Sequence, residues 1–125
     1  MTVFDTLDEL ESYRSVFPAM DGIADVMDHS LPYDQGPGEY DAAGHDGLKY
    51  IIDTHLSSDK GFEAEKHEGK KVMEIVLEGE EMVSFSSSVF RLSPGRFLVY
   101  SGDESVRRGQ CYASVSAFKS VRFIF

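Results

Sequence analysis

The chain has 125 residues, of which 42% are hydrophobic and 27% charged, and this composition predicts one globular domain spanning residues 1–125. Its 22 acidic residues outnumber its 12 Lys and Arg residues, and the net charge of −10 argues against nucleic acids and anionic membranes as partners. The single cysteine excludes an intrachain disulfide. The first residues lack the pattern of a secretory signal, so a cytoplasmic location is expected.

Two helices are predicted at the start of the chain. Thr6 and Glu9 have the spacing of a capping box, and apolar residues follow at helical spacing. Pro18 can begin a second helix, whose apolar positions are Met20, Ile23 and Val26. The helical part is expected over about residues 5–30, and a loop with Pro and Gly residues follows it.

From residue 38 onwards the apolar residues occur in short runs bounded by turn residues, which is typical of β-strands. The pattern predicts a mainly β fold, a sandwich or barrel, over about residues 38–125. The charged segment 101–109 is predicted to be a turn, in which Arg107 and Arg108 either form a charged loop or bind a carboxylate. The predicted strands are 39–42, 48–56, 62–67, 72–77, 81–85, 89–92, 97–100, 111–118 and 121–125.

Three residues are the candidates for chemistry. Glu65 and His67 lie two apart on a predicted strand, so both side chains are expected on one face, where they could bind a metal or share a proton. Glu74 interrupts an apolar strand, and a buried carboxylate needs a partner, for which His67 or a lysine is available. The alternative for all three is a set of ion pairs on a solvated sheet face. His55 either faces a pocket or is a half-exposed strand residue.

The segment that contains these residues resembles the Glu-x-His…Gly-Glu-Glu signature of the YhcH/YjgK/YiaL family, with Glu65 and His67 at the first two positions. The likeness extends to Gly38-Glu39-Tyr40-Asp41 before this signature and to Leu92-Ser93-Pro94-Gly95 after it. The resemblance implies a cupin-like double-stranded β-helix, or jelly roll, with one or two short N-terminal helices. It also implies a cytosolic bacterial protein whose barrel lumen binds a metal and a small sugar or sugar acid.

Two positions differ from the family pattern. Val72 stands where the family has an acid, and the segment 101–109 lacks the family's second histidine. A divalent metal at Glu65, His67 and Glu74 is therefore expected to be held weakly. The leading hypothesis is a protein that binds a sugar or sugar acid and assists its anomerisation or isomerisation, with these three residues as acid and base. The alternative is a catalytically lapsed regulatory or subunit-like binding module.

The C-terminal segment, residues 121–125, is apolar on both faces of the strand that it is predicted to form. An exposed edge strand of this kind invites pairing with another chain, so a homodimer is expected. The alternative is that this strand lies in the centre of a sheet and is covered by the N-terminal helices.

Overall fold

The computed structural model describes residues 2–125, with 44% of the chain in strands and 16% in helices. The prediction of a mainly β fold with short N-terminal helices is confirmed. A 3₁₀ helix covers Leu7–Tyr13, and two α-helices follow, α1 at Met20–Asp28 and α2 at Leu31–Asp34. The strands of the described residues are β1 (Val3–Thr6), β2 (Gly38–Asp41), β3 (Lys49–Leu56), β4 (Phe62–Glu63), β5 (Lys71–Glu78), β6 (Glu81–Phe85), β7 (Ser88–Leu92), β8 (Arg96–Ser101), β9 (Arg107–Gln110) and β10 (Ala117–Ile124).

The strands form two antiparallel sheets that pack face to face. The larger sheet has the order β1-β8-β5-β10-β3-β2, and the smaller has the order β4-β9-β6-β7. Buried residues of both sheets, among them Val76 and Leu98 of the larger and Val83 and Leu92 of the smaller, form one apolar cluster between them. We call the space between the two sheets the lumen.

The N-terminal helices cover the other face of the larger sheet. Because side chains alternate along a strand, Val72 and Val76 of β5 face the lumen, while Met73 and Ile75 belong to the cluster on the outer face. Phe17, Met20 and Ile23 of the helical segment are buried in this outer cluster. Full burial of an aliphatic or aromatic side chain contributes about 1.5–3 kcal/mol, so this interface fixes the helices on the sheet.

The first element differs from the prediction. Residues Val3–Thr6 form β1, which pairs with β8, and the helix that follows is a 3₁₀ helix in which Thr6 makes no side-chain capping bond. Pairing with an existing sheet edge satisfies the backbone groups of this segment, and this tertiary gain outweighs the local capping signal. The second predicted helix is α1, where Met20, Ile23 and Val26 are buried as expected.

Three predicted strands have other bounds. The predicted strand 62–67 ends at Glu63, and the predicted turn 101–109 contains the start of β9. Residues 111–116 of the predicted strand 111–118 form a loop, and the predicted strand 121–125 belongs to β10, which begins at Ala117 and lies between β3 and β5 in the centre of the larger sheet. The premise of an exposed C-terminal edge strand is therefore wrong, and the alternative of a central strand under the helices is correct.

A search of the described residues for a helix that is both long and apolar enough to cross a membrane finds none.

Candidate functional site

The structure does not bring the three predicted site residues together as a ligand set. Glu65 is exposed in the loop after β4, and His67 lies half-buried in the same loop, with a buried Nε2 that has no hydrogen-bond partner among residues 2–125. Glu74 lies on β5 and is fully buried, with its side chain directed into the lumen. Within residues 2–125, no three His, Cys, Asp or Glu side chains are grouped so that they could hold a metal ion.

The partner of Glu74 is Arg108 of β9, whereas the sequence suggested His67 or a lysine. The Arg108 Nε donates to Glu74 Oε1 at 2.8 Å, and its Nη2 donates to the Ser120 hydroxyl at 2.9 Å. The Arg108 Nη1 donates to Asp53 Oδ2 at 3.3 Å, and Nη2 lies 3.7 Å from Glu81 Oε1. Of the two sequence-based readings of Arg108, binding of a carboxylate is the correct one. We call these five side chains the Arg108 network.

A β-bulge in β9 directs Arg108 into the lumen. The pairing of β9 with β6 shifts so that one residue of β6, Val83, faces both Arg108 and Gly109. Gly109 has a φ of +70°, and a Cβ at this position would lie 2.4 Å from a ring carbon of Phe62. Glycine therefore makes the bulge possible, and the Gly109 backbone N–H donates to Glu81 Oε2 at 2.8 Å.

The network holds more negative than positive charge. Its carboxylates are Asp53, Glu74 and Glu81, and a second arginine, Arg122 of β10, donates from Nη2 to Asp53 Oδ2 at 2.9 Å. Three carboxylates and two guanidinium groups leave one excess negative charge when all are ionised. Glu74 Oε2, Glu81 Oε1 and Arg122 Nε are buried without hydrogen-bond partners among the described residues.

Arg108 is a permanent cation in this environment. Burial, the largest single effect, would lower its pKa, but the surrounding groups, with Glu74 first among them, together outweigh it, and the pKa is raised. The pKa of the nearby Tyr100 hydroxyl is raised as well, first by burial and then by the charge of Glu74. Tyr100 is therefore a neutral hydroxyl across the range in which proteins are stable.

The lumen residues do not fit a divalent metal ion. A metal needs carboxylate or imidazole ligands that are free to converge on it. Here the carboxylates of Asp53 and Glu74 already accept hydrogen bonds from guanidinium groups, and Arg108 lies between them with a side chain that is only 2% exposed. A second cation in this space would be repelled by Arg108.

An aromatic group lies beside the network. The His55 ring packs 4.8 Å from the Phe62 ring and 5.8 Å from the Phe118 ring, measured between centroids. The Arg108 Cζ lies 5.4 Å from the centre of the Phe62 ring, and His55 Nε2 lies 4.0 Å from Asp53 Oδ1. The sequence allowed His55 either to face a pocket or to be a half-exposed strand residue. Both descriptions apply, since its side chain is 41% exposed and it lines a depression.

This depression has a volume of about 480 Å³ and opens to solvent where β3, β5 and β10 meet. We call it the His55 depression. Its lining combines apolar and aromatic surface with a hydroxyl, a carboxylate and an ammonium group. The lining residues are Thr54, His55, Leu56, Glu78, Ala117, Phe118 and Lys119.

Sequence reasoning missed Arg108, Asp53 and Glu81 as parts of one cluster. The three residues come from three different strands, and their meeting depends on the sheet order, which local patterns do not give. One signal was available: Glu74 lies in an apolar strand and needed a strong partner, and arginine is the residue that most often pairs with a buried carboxylate. The adjacent Gly109 also marks β9 as a site of close backbone approach.

Several solved structures are similar to this chain. A cupin domain of an XRE-family transcriptional regulator from Enterobacter cloacae is 15% identical, with a TM-score of 0.54 over 72% of this chain and 96% of that one. A cupin protein from Bacteroides fragilis is 15% identical, with a TM-score of 0.57 over 73% of this chain and 76% of that one. A protein from Neisseria meningitidis is 17% identical, with a TM-score of 0.54 over 80% and 95%.

These likenesses establish the cupin fold of the chain, which the family resemblance implied. No protein-family model and no curated protein matches the sequence. The predicted membership of the YhcH/YjgK/YiaL family therefore stays a prediction.

Proposed function

We propose that this cupin-fold chain is a binding module without catalytic activity, and that it takes a small sugar or sugar acid in the His55 depression. The observation that carries the proposal is the composition of this depression, in which aromatic surface lies next to three different polar groups. Small-molecule sites are concave and mostly apolar, with a few polar groups that fix the orientation of the ligand.

The lining suits a sugar acid in particular. The exposed side chain of Leu56 and the partly exposed ring of His55 offer apolar surface to the C–H face of a sugar ring, while the buried Phe118 ring packs against His55. Glu78 can accept hydrogen bonds from sugar hydroxyl groups, and Lys119 can pair with a carboxylate. The Lys119 Nζ donates one hydrogen bond to the Tyr33 carbonyl at 3.0 Å, which leaves two of its three donors for a ligand.

The separation of the predicted acid and base favours binding over catalysis. Anomerisation needs a base for the anomeric hydroxyl and an acid for the ring oxygen, both within hydrogen-bond reach of one bound sugar. The predicted pair is separated, because Glu74 is enclosed beside Arg108 while Glu65 is exposed in a loop. The proposal therefore gives no catalytic role to Glu65, His67 or Glu74, and it includes no metal at these residues.

The test is calorimetric titration of the purified protein with neutral sugars, uronic acids and sialic acid. A hydrogen bond to a charged group contributes about 1.5–3 kcal/mol, so Lys119→Met is expected to weaken binding of an acidic ligand by about 10- to 100-fold. Glu78→Gln is expected to weaken binding of neutral and acidic sugars alike. Lys66→Met, an exposed lysine outside the depression, is the matched control and should leave binding unchanged.

Exchange NMR on the same ligands separates the two hypotheses. A binding module leaves the rate of mutarotation at its value in buffer. Acceleration that is lost in Lys119→Met would place an active enzyme in the depression, whereas acceleration that is lost in Glu65→Ala or His67→Ala would restore the original catalytic assignment. Absence of binding to every ligand of the panel would refute the proposal.

The remaining sequence-based expectations stay part of this proposal. They are a cytoplasmic location, no affinity for nucleic acid or membranes, and a homodimer. The reason given for the homodimer is lost, because β10 is a central strand. Light scattering at high protein concentration decides the point, and a mass of 14.0 kDa would exclude the dimer.

A further inference from the structure

Three carboxylates from three different strands surround one guanidinium group in the lumen. Asp53 lies on β3, Glu74 on β5 and Glu81 on β6, and each has an oxygen within 4 Å of an Arg108 nitrogen. Cupins often bind a metal ion, yet the residues here do not fit one. We infer that Arg108 acts as a built-in cation that replaces a metal ion, and that its removal would open a binding site for a divalent cation in the lumen.

The role of Arg108 in the packing is that of a cross-link between the two sheets. Its nitrogens reach Glu74 and Ser120 on two strands of the larger sheet, while its backbone belongs to β9 of the smaller sheet. A bound metal joins strands in the same way, through several oxygen ligands around one positive centre. The guanidinium does so with directed N–H donors, which is why a serine hydroxyl takes part.

Arg108 holds the three carboxylates apart on three different nitrogens, and its removal would let them converge on one ion. Glu74 Oε2 and Glu81 Oε1 are fully buried and have no hydrogen-bond partner among the described residues, although Arg108 Nη2 lies 3.7 Å from Glu81 Oε1. Carboxylate oxygens are the ligands that Mn²⁺ and Ca²⁺ prefer. Without Arg108, three carboxylates would face one remaining cation, Arg122, so the lumen would attract a divalent ion strongly.

The experiment measures thermal unfolding of Arg108→Ala in the presence of MnCl₂, CaCl₂ or methylguanidinium chloride. The variant is expected to unfold at a lower temperature than the wild type. Each of the three cations, at 100-fold excess over its dissociation constant, is expected to raise the Tm of the variant by about 5 °C or more. The Tm of the wild type should stay the same within about 1 °C.

Two variants control for non-specific effects of the cations. Arg108→Ala/Glu74→Gln lacks one of the three carboxylates and is expected to lose most of the cation-dependent rise. Arg91→Ala removes an exposed arginine with a carboxylate partner, Glu80, at the same distance of 2.8 Å, and is expected to show no rise. An equal rise in Arg108→Ala and in either control would overturn the inference, and so would no rise in Arg108→Ala.

A second measurement on the wild type keeps the inference testable if Arg108→Ala does not fold. Mn²⁺ broadens NMR signals of nuclei close to its binding site. The signals of Glu74 and Gly109 in the wild type are expected to keep their widths in the presence of Mn²⁺, because Arg108 fills the site. Selective broadening of these signals would show a metal beside Arg108 and overturn the inference. The outcome does not depend on whether a sugar binds in the His55 depression.

Discussion

The buried ion pair of Glu74 and Arg108 has a matched counterpart on the surface, and the two together give a sharp prediction. Arg108 Nε lies 2.8 Å from Glu74 Oε1 with both side chains enclosed, and Arg91 Nη2 lies 2.8 Å from Glu80 Oε2 with both side chains partly exposed. The two pairs share residue types and distance and differ in burial. Glu74→Met and Glu80→Met therefore measure the effect of burial on otherwise similar contacts.

Removal of one partner of a buried ion pair costs about 3–5 kcal/mol, because the other charge stays buried without compensation. Arg108 keeps its bonds to Asp53 and Ser120 when Glu74 is replaced, so the loss should lie at the lower end of this range. We expect Glu74→Met to lower the free energy of unfolding by about 3 kcal/mol and the Tm by roughly 10 °C. We expect Glu80→Met to lower the free energy by at most about 1 kcal/mol.

Urea unfolding followed by circular dichroism measures both values, with an unchanged m-value as the check that the denatured states are alike. Methionine is close to glutamate in length, so neither variant leaves a large cavity. Equal losses in Glu74→Met and Glu80→Met would refute the reasoning, because burial would then have no effect on the pair.

Three further predictions concern the backbone and the pH dependence. Gly109→Ala should lower the free energy of unfolding by about 1–3 kcal/mol in urea titrations, and more than Gly95→Ala, since both have positive φ but only Gly109 is crowded by a side chain. A bond from the Tyr13 hydroxyl at 2.6 Å lowers the pKa of Asp5 below 3.8, so the stabilisation is present above pH 3.8 and is lost as the pH falls through the lowered pKa. The stability difference between wild type and Tyr13→Phe should therefore shrink between pH 5 and pH 2, and a constant difference would contradict this cause. Burial raises the pKa of Tyr100 above 10 in the folded state, so the unfolded state loses the hydroxyl proton first as the pH rises above 10. The wild type should therefore lose more free energy of unfolding between pH 10 and pH 12 than Tyr100→Phe.

The sequence predicted the elements whose signals are local and missed those that depend on distant partners. The alternation along β5 and the helical spacing in α1 correspond to the faces that are buried. The segment after Glu63 carried a strand-like pattern, but its backbone bonds go to loop carbonyls, from Ala64 to Val106 and from His67 to Gly102. No local pattern distinguishes such a loop from a strand, because the difference lies in which part of the chain supplies the acceptors.

The candidate site shows the same division. Glu74 was identified from its position in an apolar strand, because the cost of burying a carboxylate is a local argument. The identity of its partner could not be derived, because Arg108 and Glu74 are on sheets whose packing is set by the whole fold. Gly109, which directs Arg108 into the lumen, was predicted to end a turn. In the structure its φ of +70° belongs to a bulge inside β9.

The central position of β10 has a consequence for how the protein reaches its fold. This strand is the last of the described strands in chain order, yet β3 and β5 both pair with it and not with each other. During synthesis, β3 and β5 therefore wait with unpaired edges until β10 has left the ribosome. Contacts between residues as distant in sequence as Ile52 and Val121 slow folding, because the loop between them must close first. We expect the larger sheet to form only once β10 is available, with a period in which two apolar strands are open to aggregation.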